Sequence, residues 1–199
     1  MARSNPIHAA LYDPFSRNAI ADKRRRLIAD ATGTVLEVGA GTGFNLRLYR
    51  DVESVCVTEP DAAMRKRLFD RVAAAAVPVS IHELPIESTG LGDAAFDTVV
   101  CTFVLCTVAD QDATLREIRR LLRPTGRLLF LEHVRAPGWK GRVQGVATPV
   151  WSSSVGGGCH LDRRTLDAIR AAGFVIDRCD RSGVVASGVA VPSKREAKV

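Results

Sequence analysis

Short apolar runs alternate with amphipathic stretches over most of the chain. The runs are rich in Val, Ile and Leu and are bounded by Gly, Pro or Asp, which is typical of strands buried on both faces of a sheet. They predict strands at 34–38, 54–58, 78–82, 96–102 and 127–132. Helical spacing of apolar residues predicts helices at 18–31, 44–49, 62–75, 111–122 and 162–172. Because strands joined by helices pair in parallel, this order predicts an α/β fold.

The C-terminal part has a different pattern. Two apolar stretches, 174–179 and 184–191, are separated by Asp180-Arg181-Ser182-Gly183, which has the composition of a turn. We therefore predict a doubly wound, mostly parallel seven-stranded sheet that ends in an antiparallel hairpin. A chain of 199 residues is expected to form one domain, 1–199, with an N-terminal arm and helix at 1–33 and a flexible tail at 192–199.

Residues 136–160 interrupt the alternation. This segment is rich in Pro, Gly and Ser, contains Trp139 and Trp151, and is predicted to be too irregular for a core element. Long connections in compact domains often cover binding sites. We expect a mobile cap whose apolar walls, Trp151 among them, line an acceptor pocket.

The net charge of +6 raises the question of a nucleic-acid partner. The basic excess lies largely in short runs at 23–26, 65–67 and 119–127 and in the C-terminal tail, and most of these residues are predicted to be on solvated helix faces and loop ends. Aromatic residues make up only 6% of the chain and are not interleaved with these runs. Without a stacking platform, no nucleic-acid partner is expected.

The cysteines and the apolar runs indicate the compartment. No run is long enough to cross a bilayer, and residues 1–20 mix charged with apolar positions, so neither a membrane span nor a signal peptide is expected. The five cysteines are scattered and include no Cys-x-x-Cys pair, which favours the cytoplasm. Cys101, Cys106 and Cys159 are candidates for metal ligands or a redox switch. Since cysteine more often packs as a small apolar side chain, no metal is expected.

A glycine-rich loop follows the first strand. In Glu37-Val38-Gly39-Ala40-Gly41-Thr42-Gly43 the glycines allow a tight turn and close approach of a ligand to the backbone. A dinucleotide fingerprint needs its third glycine where Phe44 stands, which disfavours a nicotinamide cofactor. Glu59 ends the second strand about 20 residues after Gly39, where a carboxylate can accept hydrogen bonds from both ribose hydroxyls.

These features, with Phe96-Asp97-Thr98-Val99-Val100 and Leu122-Arg123-Pro124-Thr125-Gly126, resemble the class I S-adenosylmethionine-dependent methyltransferases. The resemblance covers roughly residues 35–174 and implies a Rossmann-like methyltransferase fold with S-adenosylmethionine as cofactor. Four stretches, 36–49, 99–108, 131–134 and 158–161, are most similar to the animal methyltransferase-like proteins that methylate alkyl thiols. The apolar membrane anchor of those proteins is not found here. Quinone C-methyltransferases and phospholipid N-methyltransferases share some of these motifs, so the acceptor stays open.

The resemblance also implies roles for particular residues. The loop glycines would pack against the methionyl group, Glu37 would order the loop, and Asn45 would reach the amino-acid end. Glu59 would hold the ribose, and Pro60 and Met64 would border the adenine. The turn Ile86-Glu87, which departs from the Asp-Ala pair usual there, would offer a backbone amide and a carboxylate to the adenine edge. The complete expected cofactor set is Glu37, Gly39, Ala40, Gly41, Gly43, Asn45, Glu59, Pro60, Met64, Ile86, Glu87, Cys101 and Thr102.

The acceptor is expected at the carboxyl ends of the central strands. Cys101, Thr102 and Phe103 end the fourth strand, and His133 ends the fifth. An imidazole there is our candidate general base for a thiol, amine or hydroxyl acceptor. A hydrogen bond from His133 to a neighbouring loop explains its presence equally well.

Three further interpretations remain at this point. The fold could belong to a non-catalytic S-adenosylmethionine-binding or regulatory protein, or to a nicotinamide-dependent oxidoreductase, which Phe44 disfavours. A methyltransferase acting on RNA or protein would need an exposed basic groove. We predict an enzyme that transfers a methyl group from S-adenosylmethionine to a small, apolar acceptor, with the oligomeric state undetermined.

Overall fold

The strands form one mixed sheet. The computed structural model describes residues 20–153 and 158–193. The order across the sheet is β3-β2-β1-β4-β5-β7-β6, in which the first five strands are parallel and β7 is antiparallel to both of its neighbours. This confirms the predicted sheet and hairpin. The strands are β1 (Thr34–Val38), β2 (Ser54–Thr58), β3 (Val79–His82), β4 (Phe96–Thr102), β5 (Leu122–His133), β6 (Phe174–Ser182) and β7 (Val185–Pro192).

The helices pack on this sheet. Two of them begin where the sequence predicts because an aspartate caps each: Asp61 accepts hydrogen bonds from the N–H groups of Ala63 and Met64, and Asp110 accepts one from Ala113. Most of the predicted N-terminal arm and of the tail, residues 1–19 and 194–199, lies outside the described residues. The helices are α1 (Ala21–Ile28), α2 (Ala62–Val72), α3 (Gln111–Leu121), α4 (Gly138–Ser153) and α5 (Thr165–Ala171).

The core is divided by the sheet. Alternate residues of β5, such as Leu128 and Phe130, belong to one buried cluster, while Leu129 and Leu131 belong to the other. Since successive side chains of a strand point to opposite faces, the clusters lie on the two sides of the sheet. The central strands are therefore buried on both faces, as their continuous apolar runs predict.

The predicted helix at 44–49 is wrong. The structure has a single 3₁₀ turn, Leu46–Leu48, in which the N–H of Leu48 bonds to the carbonyl of Asn45. Leu46 and Tyr49 are both buried, so the apolar spacing is real. The stretch between Gly43 and β2 is too short to propagate an α-helix, because a first turn fixes several residues for one hydrogen bond.

The prediction of an irregular 136–160 segment is also wrong, since α4 occupies 16 of its residues. Gly141 permits close contact with the preceding chain, because a Cβ there would lie 2.3 Å from the carbonyl oxygen of Ala136. Gln144 is buried and bonds to the backbone of Ala136 and Leu161 on either side of the helix. Tertiary contacts thus stabilise a helix that its glycines and Pro149 disfavour.

Candidate active site

A crevice is expected where the direction of strand succession reverses. The chain runs outward from β1 to β2 and β3, then returns to place β4 on the other side of β1. In open α/β sheets, ligands bind beyond the carboxyl ends of the strands at this point. The loops that leave β1 and β4, residues 39–45 and 103–108, border it.

The three loop glycines have different tasks. All have positive φ, +59° at Gly39, +58° at Gly41 and +80° at Gly43. A Cβ at Gly39 would lie 2.8 Å from Val104, and one at Gly43 would lie 2.6 Å from Leu68, so these two glycines let the loop pack against the protein. A Cβ at Gly41 would have no described atom within 4 Å. Space for a ligand is therefore left at Gly41.

Beneath the loop, polar side chains form a buried network. The Glu37 carboxylate accepts hydrogen bonds from Asn45 Nδ2 at 3.0 Å and from the Tyr49 hydroxyl at 2.7 Å. Asn45 Nδ2 also lies 3.1 Å from Thr102 Oγ1 at the end of β4. Burial raises the pKa of Glu37 to about 7, against the opposing effects of Tyr49, Arg24 and Asn45. The network joins the loop after β1 to the end of β4.

Arg24 completes this network and was missed at the sequence level. Its Nη1 donates to Asn45 Oδ1 at 2.6 Å and to Thr102 Oγ1 at 3.2 Å, and the side chain is almost fully buried. Among the described residues, its Nε and Nη2 have no hydrogen-bond partner. The prediction that the 23–26 run is solvated is therefore wrong for Arg24. Its buried guanidinium keeps two nitrogen donors without a partner among the described residues.

The helical spacing could have identified Arg24. It lies three and four residues before Leu27 and Ile28, both buried, so it is on the inward face of α1. The flanking Arg25 and Arg26 are exposed, as predicted. The position of a basic residue on the apolar face of a helix indicates a buried functional role more strongly than the number of basic residues in the run does.

Glu59 is held directly beside the glycine loop. Its Oε2 accepts a hydrogen bond from the Gly41 N–H at 2.7 Å, and its Oε1 accepts one from the Asp61 N–H at 2.8 Å. Burial raises the pKa of this carboxyl, while the two backbone hydrogen bonds oppose that shift. The structure thus brings Glu59 and Gly41 together, as the sequence predicts.

The remaining predicted cofactor residues differ in burial and in their hydrogen bonds. Met64 and Ile86 are buried, Pro60 and Glu87 are exposed, and the Glu87 carboxylate accepts a hydrogen bond from Thr114 of α3. Cys101 packs in the core cluster and has no exposed surface. Ala40 is buried in the loop, where its N–H bonds to the Thr58 carbonyl at 2.9 Å. Cys101 therefore offers no side chain to the crevice.

On the other side of the crevice, Phe103 has a strained backbone. Its φ is +59°, which is rare for a bulky side chain and is typical of functional sites. The ring centroid lies 4.7 Å from that of His133 and 5.9 Å from the guanidinium carbon of Arg24. Phe103 therefore connects the glycine-loop side with the end of β5.

His133 lies in a cluster with two cysteines that the sequence separates widely. Its Nδ1 is 3.2 Å from Cys159 Sγ and 3.7 Å from Cys106 Sγ, and the two sulfur atoms are 3.4 Å apart. Hydrogen bonding from Cys106, with a further contribution from His133, lowers the pKa of Cys159, whereas the pKa of Cys106 is raised. We call Cys106, His133 and Cys159 the cysteine–histidine cluster.

Glu132 supports this cluster from below. Its carboxylate is fully buried and accepts hydrogen bonds from the N–H groups of Val104, Leu105 and Cys106 at 2.9–3.1 Å. Burial raises its pKa to about 7 despite these hydrogen bonds. Glu132 therefore fixes the turn that carries Cys106 beside His133.

The helix α4 reaches the cluster through Trp151. Its indole Nε1 is buried without a hydrogen-bond partner among the described residues, yet Trp151 lies close enough to Cys159 to lower the pKa of that thiol. The outward side of α4 carries exposed apolar side chains, Trp139, Val143, Val146 and Val150. A cavity of about 460 Å³ near the start of α4 is lined by several arginines and contains none of the cluster. It does not match the apolar pocket expected for the acceptor.

Comparison with known proteins identifies a methyltransferase domain. A model of the methyltransferase domain matches residues 36–130. Thiol S-methyltransferase TMT1B of Homo sapiens is 33% identical over 187 residues, covering 85% of this chain and 74% of the relative, and TMT1A of Homo sapiens is 34% identical over 189 residues with the same coverage. A chain of the complex between the Haloferax volcanii Trm112 methyltransferase activator and a methyltransferase has a TM-score of 0.74 at 15% identity, covering 98% of this chain and all of that one.

The sheet order, the glycine loop and the acid that ends β2 define the class of S-adenosylmethionine-dependent methyltransferases. Within that class, the chain belongs to the family that includes the thiol S-methyltransferases TMT1A and TMT1B. It is an enzyme that transfers a methyl group from S-adenosylmethionine to a small acceptor.

The residues present fit this cofactor. The unused donors of Arg24 match the carboxylate at the methionyl end, since guanidinium pairs well with carboxylate oxygens. The open space at Gly41 permits close approach of a ligand to the loop backbone. The carboxylate of Glu59 retains acceptor capacity for ribose hydroxyls beyond its two backbone contacts.

Proposed function

We propose that the methyl acceptor is a small, apolar thiol. The observation that carries this proposal is the position of Phe103, whose ring contacts both Arg24 and His133. The cofactor and acceptor sides are then adjacent. The acceptor side is made of sulfur, imidazole and aromatic groups, Cys106, Cys159 and Trp151 included, which suit a soft and weakly polar nucleophile. The relatives TMT1A and TMT1B are thiol S-methyltransferases, which supports this acceptor class.

The cofactor site proposed for this reaction follows the network under the loop. Arg24 holds the methionyl carboxylate, Asn45 and Glu37 order that end, and Glu59 holds the ribose beside Gly41. Met64 and Ile86 supply apolar surface for the adenine, with Pro60 and Glu87 at its edge. Gly39, Ala40, Gly43 and Thr102 shape the loop and its floor. The bound cofactor supplies a methyl group on a sulfonium, which leaves by in-line displacement.

His133 is the proposed proton acceptor in this site. Its Nδ1 faces the two thiols, so Nε2 is the nitrogen left for the acceptor. A thiol has an ordinary pKa near 8.5, so about a few per cent of it is already thiolate at neutral pH and little help with deprotonation is needed. The residues therefore have to orient the acceptor sulfur and exclude water more than to perform acid–base work.

Residues 136–160 are the proposed cap. Trp151 of α4 lies near Cys159 of the cysteine–histidine cluster. Gln144 bonds to the backbone before and after α4 and so holds the helix in place. A helix held in this way can select the acceptor by shape while leaving the cofactor contacts unchanged. Part of the expected cap, residues 154–157, lies outside the described residues.

We further propose a cytoplasmic location, which is supported by the five free cysteines. Cys106 and Cys159 are in contact without a bond between them. No helix in the described part of the chain is long and apolar enough to cross a membrane.

The acceptor is tested with a matched panel. The protein is incubated with S-adenosylmethionine and an alkyl thiol, alcohol or amine of the same chain length, or with a quinol, and S-adenosylhomocysteine formation is measured. We expect turnover with the thiol at a kcat/KM at least tenfold above that of the others. Preference for the amine or the quinol would overturn the thiol proposal, and no turnover with any acceptor would support the non-catalytic alternative.

A further inference from the structure

The cysteine–histidine cluster has the geometry of one face of a metal tetrahedron. The three atoms that could bind a cation are Cys106 Sγ, Cys159 Sγ and His133 Nδ1, and they all lie within 4.8 Å of one another. Their separations are 3.4 Å for S···S and 3.2 and 3.7 Å for the two S···N pairs.

These separations can be compared with those in a zinc site. With Zn–S bonds of about 2.3 Å and Zn–N bonds of about 2.0 Å, tetrahedral angles place two sulfur ligands about 3.8 Å apart and a sulfur and a nitrogen about 3.5 Å apart. The observed triangle differs from this by only a few tenths of an ångström on each edge. Binding a cation therefore requires only small movements of the side chains.

We infer that Cys106, His133 and Cys159 bind one soft divalent cation, Zn²⁺ or Co²⁺, and leave a fourth position open for the acceptor thiol. Two thiolates, one neutral imidazole and a dication carry no net charge. Such a group can be buried beside the Glu132 carboxylate at lower cost than unpaired thiolates. Thiolate and imidazole are ligands that select zinc over calcium or magnesium.

The surroundings hold the three ligands in place. Glu132 accepts the N–H of Cys106 and fixes its turn, and the Cys106 carbonyl accepts the N–H of His160, adjacent to Cys159, at 2.7 Å. The buried indole N–H of Trp151 lies near Cys159 without another partner among the described residues. It is available as a donor to a metal-bound sulfur, the kind of outer contact that orients metal ligands.

The cation site itself does not depend on the proposed function, but the thiol at its fourth position rests on it. On binding, the acceptor loses its S–H proton to solvent and coordinates as a thiolate. Its sulfur then forms a bond to the methyl carbon while the bond from that carbon to the sulfonium breaks, which gives a thioether and neutral S-adenosylhomocysteine. In this loaded form His133 is a ligand, and proton acceptance by its imidazole belongs to the metal-free protein.

Cobalt is the probe that tests the site in the unaltered chain. Protein stripped with a chelator and kept reduced is titrated with Co²⁺, and its visible absorption is recorded. We expect about one Co²⁺ per chain, with a thiolate-to-metal charge-transfer band and the intense d–d bands of tetrahedral coordination. Weak octahedral bands, no saturable binding, or a Cys106–Cys159 disulfide formed in place of binding would overturn the inference.

Variants and a second ligand locate the site and test its open position. Cys159→Ser and Cys106→Ser should lose the charge-transfer band, whereas Cys179→Ser, which removes an exposed thiol, should keep it. An alkyl thiol should shift the d–d bands and the matched alcohol should not. An unshifted spectrum would overturn the open fourth position.

Methylation assays separate this inference from the proposed function. The zinc-loaded protein should methylate the thiol with a kcat/KM about tenfold or more above that of the stripped protein. An equal kcat/KM in the zinc-loaded and the stripped protein would overturn the role of the cation in catalysis. The proposed thiol methylation would be unaffected by that result. Cobalt binding without thiol methylation in either form would leave the cation site and overturn the proposed function.

Discussion

The two sides of the crevice are built from different chemistry. On the proposed cofactor side, Arg24 and Glu37 are joined through Asn45 in one hydrogen-bond network, and Glu59 accepts a hydrogen bond from the loop backbone at Gly41. On the proposed acceptor side, two thiols and an imidazole meet beside the ring of Phe103, and Trp151 of α4 lies near Cys159. The cofactor side is suited to one polar ligand of fixed shape, whereas the acceptor side is suited to apolar nucleophiles. Perturbing one side should therefore leave the other largely unchanged.

The largest effect is expected at Gly41. Gly41→Val forces a β-branched residue to a φ of +58° and fills the space left for the cofactor, so binding of S-adenosylhomocysteine should become undetectable by calorimetry. Gly90→Val is the matched control, because Gly90 also has a positive φ, +66°, and a Cβ there would likewise have no described atom within 4 Å. Equal loss of binding in both variants would show that backbone strain, rather than the cradle, is responsible.

Arg24 should have the next largest effect. Arg24→Met removes both unused donors and should weaken cofactor binding by about 3 kcal/mol, roughly a hundredfold. The exposed neighbour provides a control, since Arg25→Met should change binding less than about twofold. Arg24→Lys keeps the charge but loses the forked donors, and it should recover only part of the affinity. Full affinity in the lysine variant would show that no two-point carboxylate contact exists.

Buried carboxyls are a feature that both sides share, and they should make stability depend on pH. Because the pKa of Glu37 is raised from 4.5 to about 7, the folded state binds this proton more tightly than the unfolded state. The stabilisation linked to the Glu37 proton is therefore full below about pH 4.5 and is lost as the pH rises through about 7. For this carboxyl alone, the loss between about pH 5 and about pH 8 is about 2.5 kcal/mol, and Glu132 acts in the same direction.

Urea unfolding at several pH values measures this dependence. Glu37→Gln should reduce the fall in unfolding free energy with rising pH, while Glu53→Gln, a change at an exposed carboxylate, should leave it as in the parent. A Glu37→Gln protein whose unfolding free energy falls with pH as steeply as that of the parent would contradict the raised pKa of Glu37.

Glu59 should affect the cofactor side more moderately. Glu59→Ala removes the proposed ribose contacts and the carboxylate that holds the Gly41 N–H, and we expect a loss of about 2 kcal/mol in cofactor binding without unfolding. Glu83→Ala removes a nearby exposed carboxylate that pairs with Arg65 and serves as the control. Unchanged binding by calorimetry in Glu59→Ala would remove Glu59 from the site.

The smallest effect is expected at Trp151, and it should appear on the acceptor side alone. Trp151→Ala should raise the acceptor KM or lower kcat by about fivefold, while S-adenosylhomocysteine affinity changes by less than about threefold. If cofactor affinity fell sharply with the fold intact, the two sides would not be separable. Hydrogen exchange in α4 as slow as in β4 would also contradict the mobility that the sequence predicts for 136–160.

The sequence signals for the proposed cofactor side are local. Residues 37–43 and Glu59 belong to one strand–loop–strand unit, and the distance between Gly39 and Glu59 follows from the length of that unit. The central strands could be predicted for a similar reason, since each of them is a separate apolar run. Arg24 was not predicted as a site residue, because a count of basic residues does not show which of them lies on the inward face of α1.

The acceptor side could not be predicted in the same way. Cys106, His133 and Cys159 come from three separate elements, and only the folded sheet brings them into contact. No spacing rule links them in the sequence. The pattern therefore favours the more common role of cysteine as a small apolar side chain. The helix α4 was missed because its stability comes from contacts such as those of Gln144, which outweigh the unfavourable propensity of its glycines and Pro149.

The most direct test of the account is to follow the methyl group itself. S-adenosylmethionine that carries a trideuterated methyl group is incubated with the protein and an alkyl thiol, and both products are quantified by mass spectrometry. We expect the label on the sulfur of the thiol in a one-to-one ratio with S-adenosylhomocysteine. Label on carbon or nitrogen of other acceptors, or cofactor binding without any label transfer to the thiol, would contradict it.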